Sequence, residues 1–290
     1  MKKKQLTLGS VVVILLLLVI YFLLPSPEIP EVPAISLEQV PAFSGEPFAV
    51  LGGNIPQFTE NDYTTDSFEE YGALDALERC TYTIACIGRD LMPTQERGSI
   101  SHIKPTGWHS VKYDFVDGKS LYNRCHLIGH QLSGEDANER NLITGTRYMN
   151  VDGMLPFENM VTDYVKETGN HVLYRVIPVY DGNNLVASGV TMEGWSVEDN
   201  GEGICFYVYV YNVQPGVEID YLTGESWLAE PVVADGEETE IYIVNTSSGK
   251  FHREDCAQSQ SIKPENRQEL EGTYSQMITW SFEPAGCCNP

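Results

Sequence analysis

Asn123-Arg124-Cys125-His126-Leu127-Ile128-Gly129-His130 and Asn141-Leu142-Ile143-Thr144-Gly145-Thr146-Arg147-Tyr148-Met149-Asn150 are the stretches that decide how this chain is built. Residues 120–128 and 141–147 read as two strands joined by the polar loop Ser133-Gly134-Glu135-Asp136-Ala137-Asn138. A helix should follow. Pro156 suits its first turn, Gly169 its end, and Phe157, Val161, Tyr164 and Val165 form one apolar stripe. Asn150 lies nine positions after Asn141, and Glu158 eight further on, so a histidine, two amides and an acid fall within one hairpin and helix. A histidine can take a proton, an amide oxygen can hold a hard cation, and arginines can grip phosphate. Together these are the components of metal-assisted phosphodiester hydrolysis.

Working outward, residues 81–87 alternate like a strand, and residues 171–180 and 185–192 flank Asp181-Gly182-Asn183-Asn184, a strong hairpin signal. Residues 204–213 form another strand, rich in Tyr and Val. Antiparallel strands around a hairpin and helix predict an α+β domain spanning residues 46–228. At the N-terminus, Lys2, Lys3 and Lys4 precede an apolar run over residues 11–24, which nears membrane-spanning length if residues 6–10 join it. With no small-x-small cleavage site after it, residues 1–24 are expected to be an uncleaved transmembrane signal anchor, the rest of the chain lying outside the cell. Were the signal cleaved, the protein would be secreted. Pro25, Pro27, Pro30 and Pro33 make residues 25–45 a linker. An acidic stretch, residues 229–240, separates a small Cys/His module at residues 241–290.

The net charge of −23 argues against a protein that coats nucleic acid. Residues 97–150 hold seven Lys/Arg against five Asp/Glu, a balance of +2, which leaves −25 for the rest. A less acidic segment on an acidic protein suits an enzyme that must release a polyanionic product. Seven cysteines suit an oxidising compartment, and Cys80 and Cys86, six apart, are candidates for a local bridge.

The stretch from Arg97 to about Tyr221 resembles the DNA/RNA non-specific endonucleases of the His-Me finger (ββα-metal) superfamily, particularly the DNA-entry nuclease branch. That signature runs Asp-Arg-Gly-His, Asn-Leu, a second Asn, then Glu on the helix. Here it is Asn123-Arg124-Cys125-His126, Asn141-Leu142, Asn150 and Glu158. The resemblance implies a ββα-metal core on an antiparallel sheet, with DNA, and RNA with it, as substrate. It makes His126 the general base, Asn150 the direct ligand of Mg²⁺ (or Mn²⁺) and Glu158 the holder of that ion's waters. Asn141 would orient the histidine or the hairpin, and Arg124 and Arg97 would clamp phosphate. Simpler readings compete at each position: a helix N-cap for Asn150, a first-turn acid for Glu158, a turn residue for Asn141, a solvated loop arginine for Arg97.

Two departures bear on activity. The signature acid is Asn123 and the signature glycine is Cys125, which motivates an alternative reading as a catalytically weak surface receptor for DNA uptake. The tail resembles a small module that follows nucleases and ends Pro-Cys-x-x-Cys, with Ala285 in place of its first cysteine. His252, Cys256, Cys287 and Cys288 have the ligand types for Zn²⁺, and a disulfide through Cys256 is the equal competitor.

Overall fold

The computed structural model describes residues 35–229, 238–280, 282–288 and 290. The expected membrane anchor lies outside them; among the described residues no helix is long and apolar enough to cross a membrane. Strands β1 (Phe48–Val50), β2 (Phe68–Tyr71) and β3 (Thr83–Ile87) are followed by a separate antiparallel hairpin, β4 (Tyr122–His126) and β5 (Leu142–Thr146). After it come β6 (Val172–Val179), β7 (Gly189–Ser196) and β8 (Cys205–Tyr211), and the ribbon β9 (Val217–Ile219) with β10 (Ser226–Leu228). Sheet order is β1-β8-β7-β6-β3-β2, with every pairing antiparallel, so the domain is α+β.

Alternation along β8 explains the layering. Phe206, Val208 and Val210 face a large buried cluster, whereas Tyr207, Tyr209 and Tyr211 face a smaller one with Leu51 and Val179. Over the large cluster lie the β4–β5 hairpin, through Cys125, Leu127 and Ile143, and a helix that contributes Phe157, Val161 and Val165. That helix, Leu155–Thr168, has proline in its first turn and ends at Gly169 with φ 77°. Ile35, Leu37 and Val40 pack on the opposite face, and the hydroxyls of Tyr211 and Tyr148 bond to the carbonyls of Pro41 and Gly45. From residue 35 onward the stretch expected as linker is therefore fastened to the sheet, because its apolar residues cover the tyrosine face.

Other differences have local causes. The strand expected from residue 185 begins at Gly189: the Leu185 carbonyl accepts from Thr106, and the Val186 amide bonds to Tyr221, which draws both off the sheet. Cys80 and Cys86 are free. Six residues of extended chain span roughly 20 Å, and the two thiols bond instead to the carbonyls of Leu142 and Thr64.

The C-terminal residues form a four-stranded sheet. Its strands are β11 (Glu240–Asn245), β12 (Lys250–Arg253), β13 (Arg267–Gly272) and β14 (Glu283–Pro284), in the order β13-β11-β12-β14. Its buried core is Tyr242, Val244, Phe251, Met277 and Phe282. Trp280 stacks on Phe115 with centroids 5.5 Å apart.

Candidate active site

Two buried amides fix the hairpin. Asn141 is fully buried; its Oδ1 accepts from the Ile128 amide at 2.8 Å and its Nδ2 donates to the Ile128 carbonyl at 3.0 Å. It therefore holds the chain two residues beyond His126 and orients the hairpin rather than lining the cleft. Asn212 joins β5 to the main sheet. Its Oδ1 accepts from the Thr146 amide, and its Nδ2 donates to the carbonyls of Thr144 and Ala187. The Thr146 hydroxyl then accepts from the Met149 amide where a π-helical turn, Met149–Met154, begins.

That frame encloses a cleft of about 640 Å³ lined by His126, Asn150, Glu158, Arg97, Arg124 and Asn123, among others. His126, at the end of β4, is only 6% exposed. Its Nε2 lies 2.9 Å from the Asp136 carbonyl, which can only accept, so Nε2 carries the proton and donates it there. Nδ1 is thus left with a lone pair, which accepts from Arg97 Nη2 at 3.0 Å. Burial, with the Arg97 guanidinium adding to it, pushes the His126 pKa down to about 4, so the ring is neutral at physiological pH. His130 begins a short helix, His130–Ser133.

Asn150 sits in the π-helical turn, not at a helix N-cap. One turn into the following helix, Glu158 reaches the same cleft. Burial pushes its carboxyl up to about 7, only partly offset by Gln131, whose Nε2 lies 3.5 Å from Oε2. Such a carboxylate has an unmet demand for positive charge. Two oxygen donors lining one cleft, one of them an under-compensated carboxylate, fit a hard cation that keeps most of its waters.

The arginines divide their work. Arg124 is engaged with its own loop: it donates to the carbonyls of Ile103 and Ser101 and lies 4.0 Å over the Trp108 ring. Arg147 was not anticipated as a site residue. It also lines the cleft and pairs with exposed Asp117 at 2.8 Å. Asp136 was also missed. Its carbonyl holds His126, while its carboxylate accepts from the Gly98 amide at 2.7 Å, next to Arg97. Cys125 turns its side chain into the core, where a Cβ on Gly145 would stand 2.4 Å from the thiol, so the glycine makes room for it. The buried Asn123 Nδ2 has no hydrogen-bond partner among the described residues and belongs to a residue that lines the cleft.

The family model for DNA/RNA non-specific endonucleases matches residues 59–198, which contain the whole hairpin and helix. This chain carries a DNA/RNA non-specific endonuclease domain. The domain is 31% identical over 118 residues to a deoxyribonuclease of Streptococcus dysgalactiae subsp. equisimilis, an alignment covering 39% of this chain and 35% of that protein. The chain thus spans about a third of that relative's length. NucA from Streptococcus agalactiae, solved without metal, superposes with a TM-score of 0.57 at 25% identity, covering 67% of this chain and 92% of NucA. NucA with magnesium bound gives 0.56 at 26% identity, covering 62% and 86%. The Sda1 nuclease shares the fold at 24% identity, with a TM-score of 0.52, 64% of this chain and 97% of that one covered.

Outside the endonuclease domain, His252, Cys256, Cys287 and Cys288 converge. One donor atom from each lies within 4.8 Å of the others.

Proposed function

We propose that the protein is a metal-dependent, sequence-tolerant endonuclease that hydrolyses phosphodiester bonds of DNA, with RNA as a further candidate substrate. The observation that carries this reading is the state of His126. The Asp136 carbonyl accepts a hydrogen bond from Nε2–H, and the Nδ1 lone pair points at a guanidinium in a cleft also lined by Asn150 and Glu158. Asn150 would hold Mg²⁺ (Mn²⁺ can substitute) through its side-chain oxygen and Glu158 through the ion's waters, and NucA has been solved with magnesium. When bound, the ion supplies charge stabilisation at the phosphate.

A phosphate oxygen is a stronger acceptor for Arg97 than a neutral imidazole. Substrate therefore draws Arg97 off Nδ1, and the freed lone pair takes a proton from the attacking water. The water oxygen bonds to phosphorus, the bond to the 3′ oxygen breaks, and that oxygen takes a proton from water in the cleft. The products carry a 5′ phosphate and a 3′ hydroxyl. Asn123 Nδ2, without an internal acceptor, offers a further donor to the phosphate. The receptor alternative rested on Asn123 and Cys125. Cys125 faces the core, which removes half of its motive.

The N-terminal apolar run, preceded by three lysines, supports single-pass anchoring with the endonuclease domain outside the cell. The test is cleavage of supercoiled plasmid by a soluble form starting at Ile35. Mg²⁺-dependent nicking lost on His126→Ala supports the proposal. Inactivity in both Mg²⁺ and Mn²⁺, or undiminished activity of His126→Ala, sinks it.

A further inference from the structure

We propose that His252, Cys256, Cys287 and Cys288 form a four-coordinate Zn²⁺ site that closes the C-terminal module. Five of the six donor–donor distances fall close to the edges of a zinc tetrahedron, and the sixth, between Cys256 and Cys288, is within 4.8 Å. Zn–S bonds of about 2.3 Å and Zn–N bonds of about 2.0 Å give S···S edges of about 3.8 Å and N···S edges of about 3.5 Å. Here His252 Nδ1 lies 3.5 Å from Cys256 Sγ, 3.3 Å from Cys287 Sγ and 3.9 Å from Cys288 Sγ. The sulfurs of Cys256 and Cys287 are 3.5 Å apart, and those of Cys287 and Cys288 are 3.9 Å apart. Adjacency of the last two cysteines therefore does not prevent both from reaching one point.

A disulfide fits less well. Joining Cys256 to Cys287 requires the sulfurs to close to about 2.05 Å, and it leaves the imidazole and the third thiol facing each other with no shared task. Three sulfurs around one ring nitrogen is the donor set of a closed structural zinc site.

The module also needs such a staple. Its main core cluster holds five buried hydrophobic residues, with Ile243 and Ala285 buried outside it, and β14 pairs with β12 in parallel over only two residue pairs, Lys250 with Glu283 and Phe251 with Pro284. A core and strand pairing this small are marginal without a cross-link or metal. His252 lies on β12 with Cys256 just beyond it, while Cys287 and Cys288 follow β14. A single ion would tie the last strand to the sheet from its end.

Cobalt titration of the reduced full-length protein in detergent tests this. We expect saturation at one equivalent of a species with strong tetrahedral d–d bands and a thiolate-to-cobalt charge-transfer band, bleached by one equivalent of Zn²⁺. An oxygen-donor site in the cleft gives no charge-transfer band, so the two are distinguished and cleavage plays no part in the readout. Cys256→Ser and Cys287→Ser should abolish the band, and Cys205→Ser, at an exposed thiol outside the cluster, should keep it. The titration of the unsubstituted protein stands whether or not the variants fold. Absence of the band there overturns the proposal. So does a Cys256–Cys287 disulfide found by mass spectrometry in metal-free protein isolated without reductant.

Discussion

His126 and His252 are both buried histidines with close polar neighbours, yet they depend on their surroundings in opposite ways. The frame around His126 stands without the imidazole: Asn141 and Asn212 bond the hairpin at both ends, and the main buried cluster lies behind it. His252 stands on β12 in a module with a small core, beside a strand held to β12 by two residue pairs. In the cleft the fold holds the functional group. In the tail, under the zinc proposal, the group would hold the fold. Substitution should therefore remove chemistry at one histidine and stability at the other.

The largest expected effect is on chemistry. His126→Ala should lower plasmid cleavage about 10²- to 10⁴-fold, the span of a positioned general base. Its melting midpoint should move by only a few degrees, and the cobalt spectrum of the tail should be unchanged. A variant that loses its main thermal transition would break the contrast, since the frame would then depend on the imidazole.

Next comes Glu158. Magnesium needs the ionised carboxylate, whose pKa without metal is raised to about 7, so protons compete with the ion below that pH. The Mg²⁺ concentration for half-maximal cleavage should rise by up to about tenfold per unit as pH falls below about 7. Glu158→Gln should weaken apparent Mg²⁺ affinity about 10- to 100-fold and flatten that dependence. Mg²⁺ titrations at pH 6 and pH 8 measure both. An unchanged slope in the variant would place the titrating group elsewhere.

How much of this was legible in the sequence follows the same division. The hairpin, the helix and the residues His126, Asn150 and Glu158 stand in a short segment whose apolar periodicity and motif spacing can be read together. Asn212 and Asp136 could not be found that way. Asn212 acts on Thr146, 66 positions away, from the end of a Tyr/Val strand, and Asp136 acts partly through its carbonyl, which every residue possesses. Arg124 does line the cleft, but sequence does not show the carbonyls of Ser101 and Ile103 that its guanidinium also meets. The Cys125 departure looked adverse because its compensation, Gly145, lies on the other strand.

Gly145 probes how rigid the cleft's frame is. A Cβ there would meet the Cys125 thiol at 2.4 Å, in a position backed by Met149. Gly145→Ala should cost about 1–3 kcal/mol of stability through overpacking. Combining it with Cys125→Gly should recover part of that loss, giving a coupling of about 0.5–3 kcal/mol in a double-mutant cycle by chemical denaturation. Additive losses would mean that the hairpin yields to the extra methyl group.

The smallest effect is a shift of His126 ionisation. Burial is the main cause of its depressed pKa, and the Arg97 guanidinium at 3.0 Å from Nδ1 adds to it. Arg97→Gln removes the charge and leaves the burial, so the pKa should rise from about 4 yet stay below the ordinary 6.5. NMR titration of the ring protons in Mg²⁺-free protein follows this directly. The sign of the shift carries the argument. A rise shows Arg97 resting on the base in the substrate-free enzyme, ready to leave it for phosphate; no change would mean that the guanidinium in solution does not sit against Nδ1.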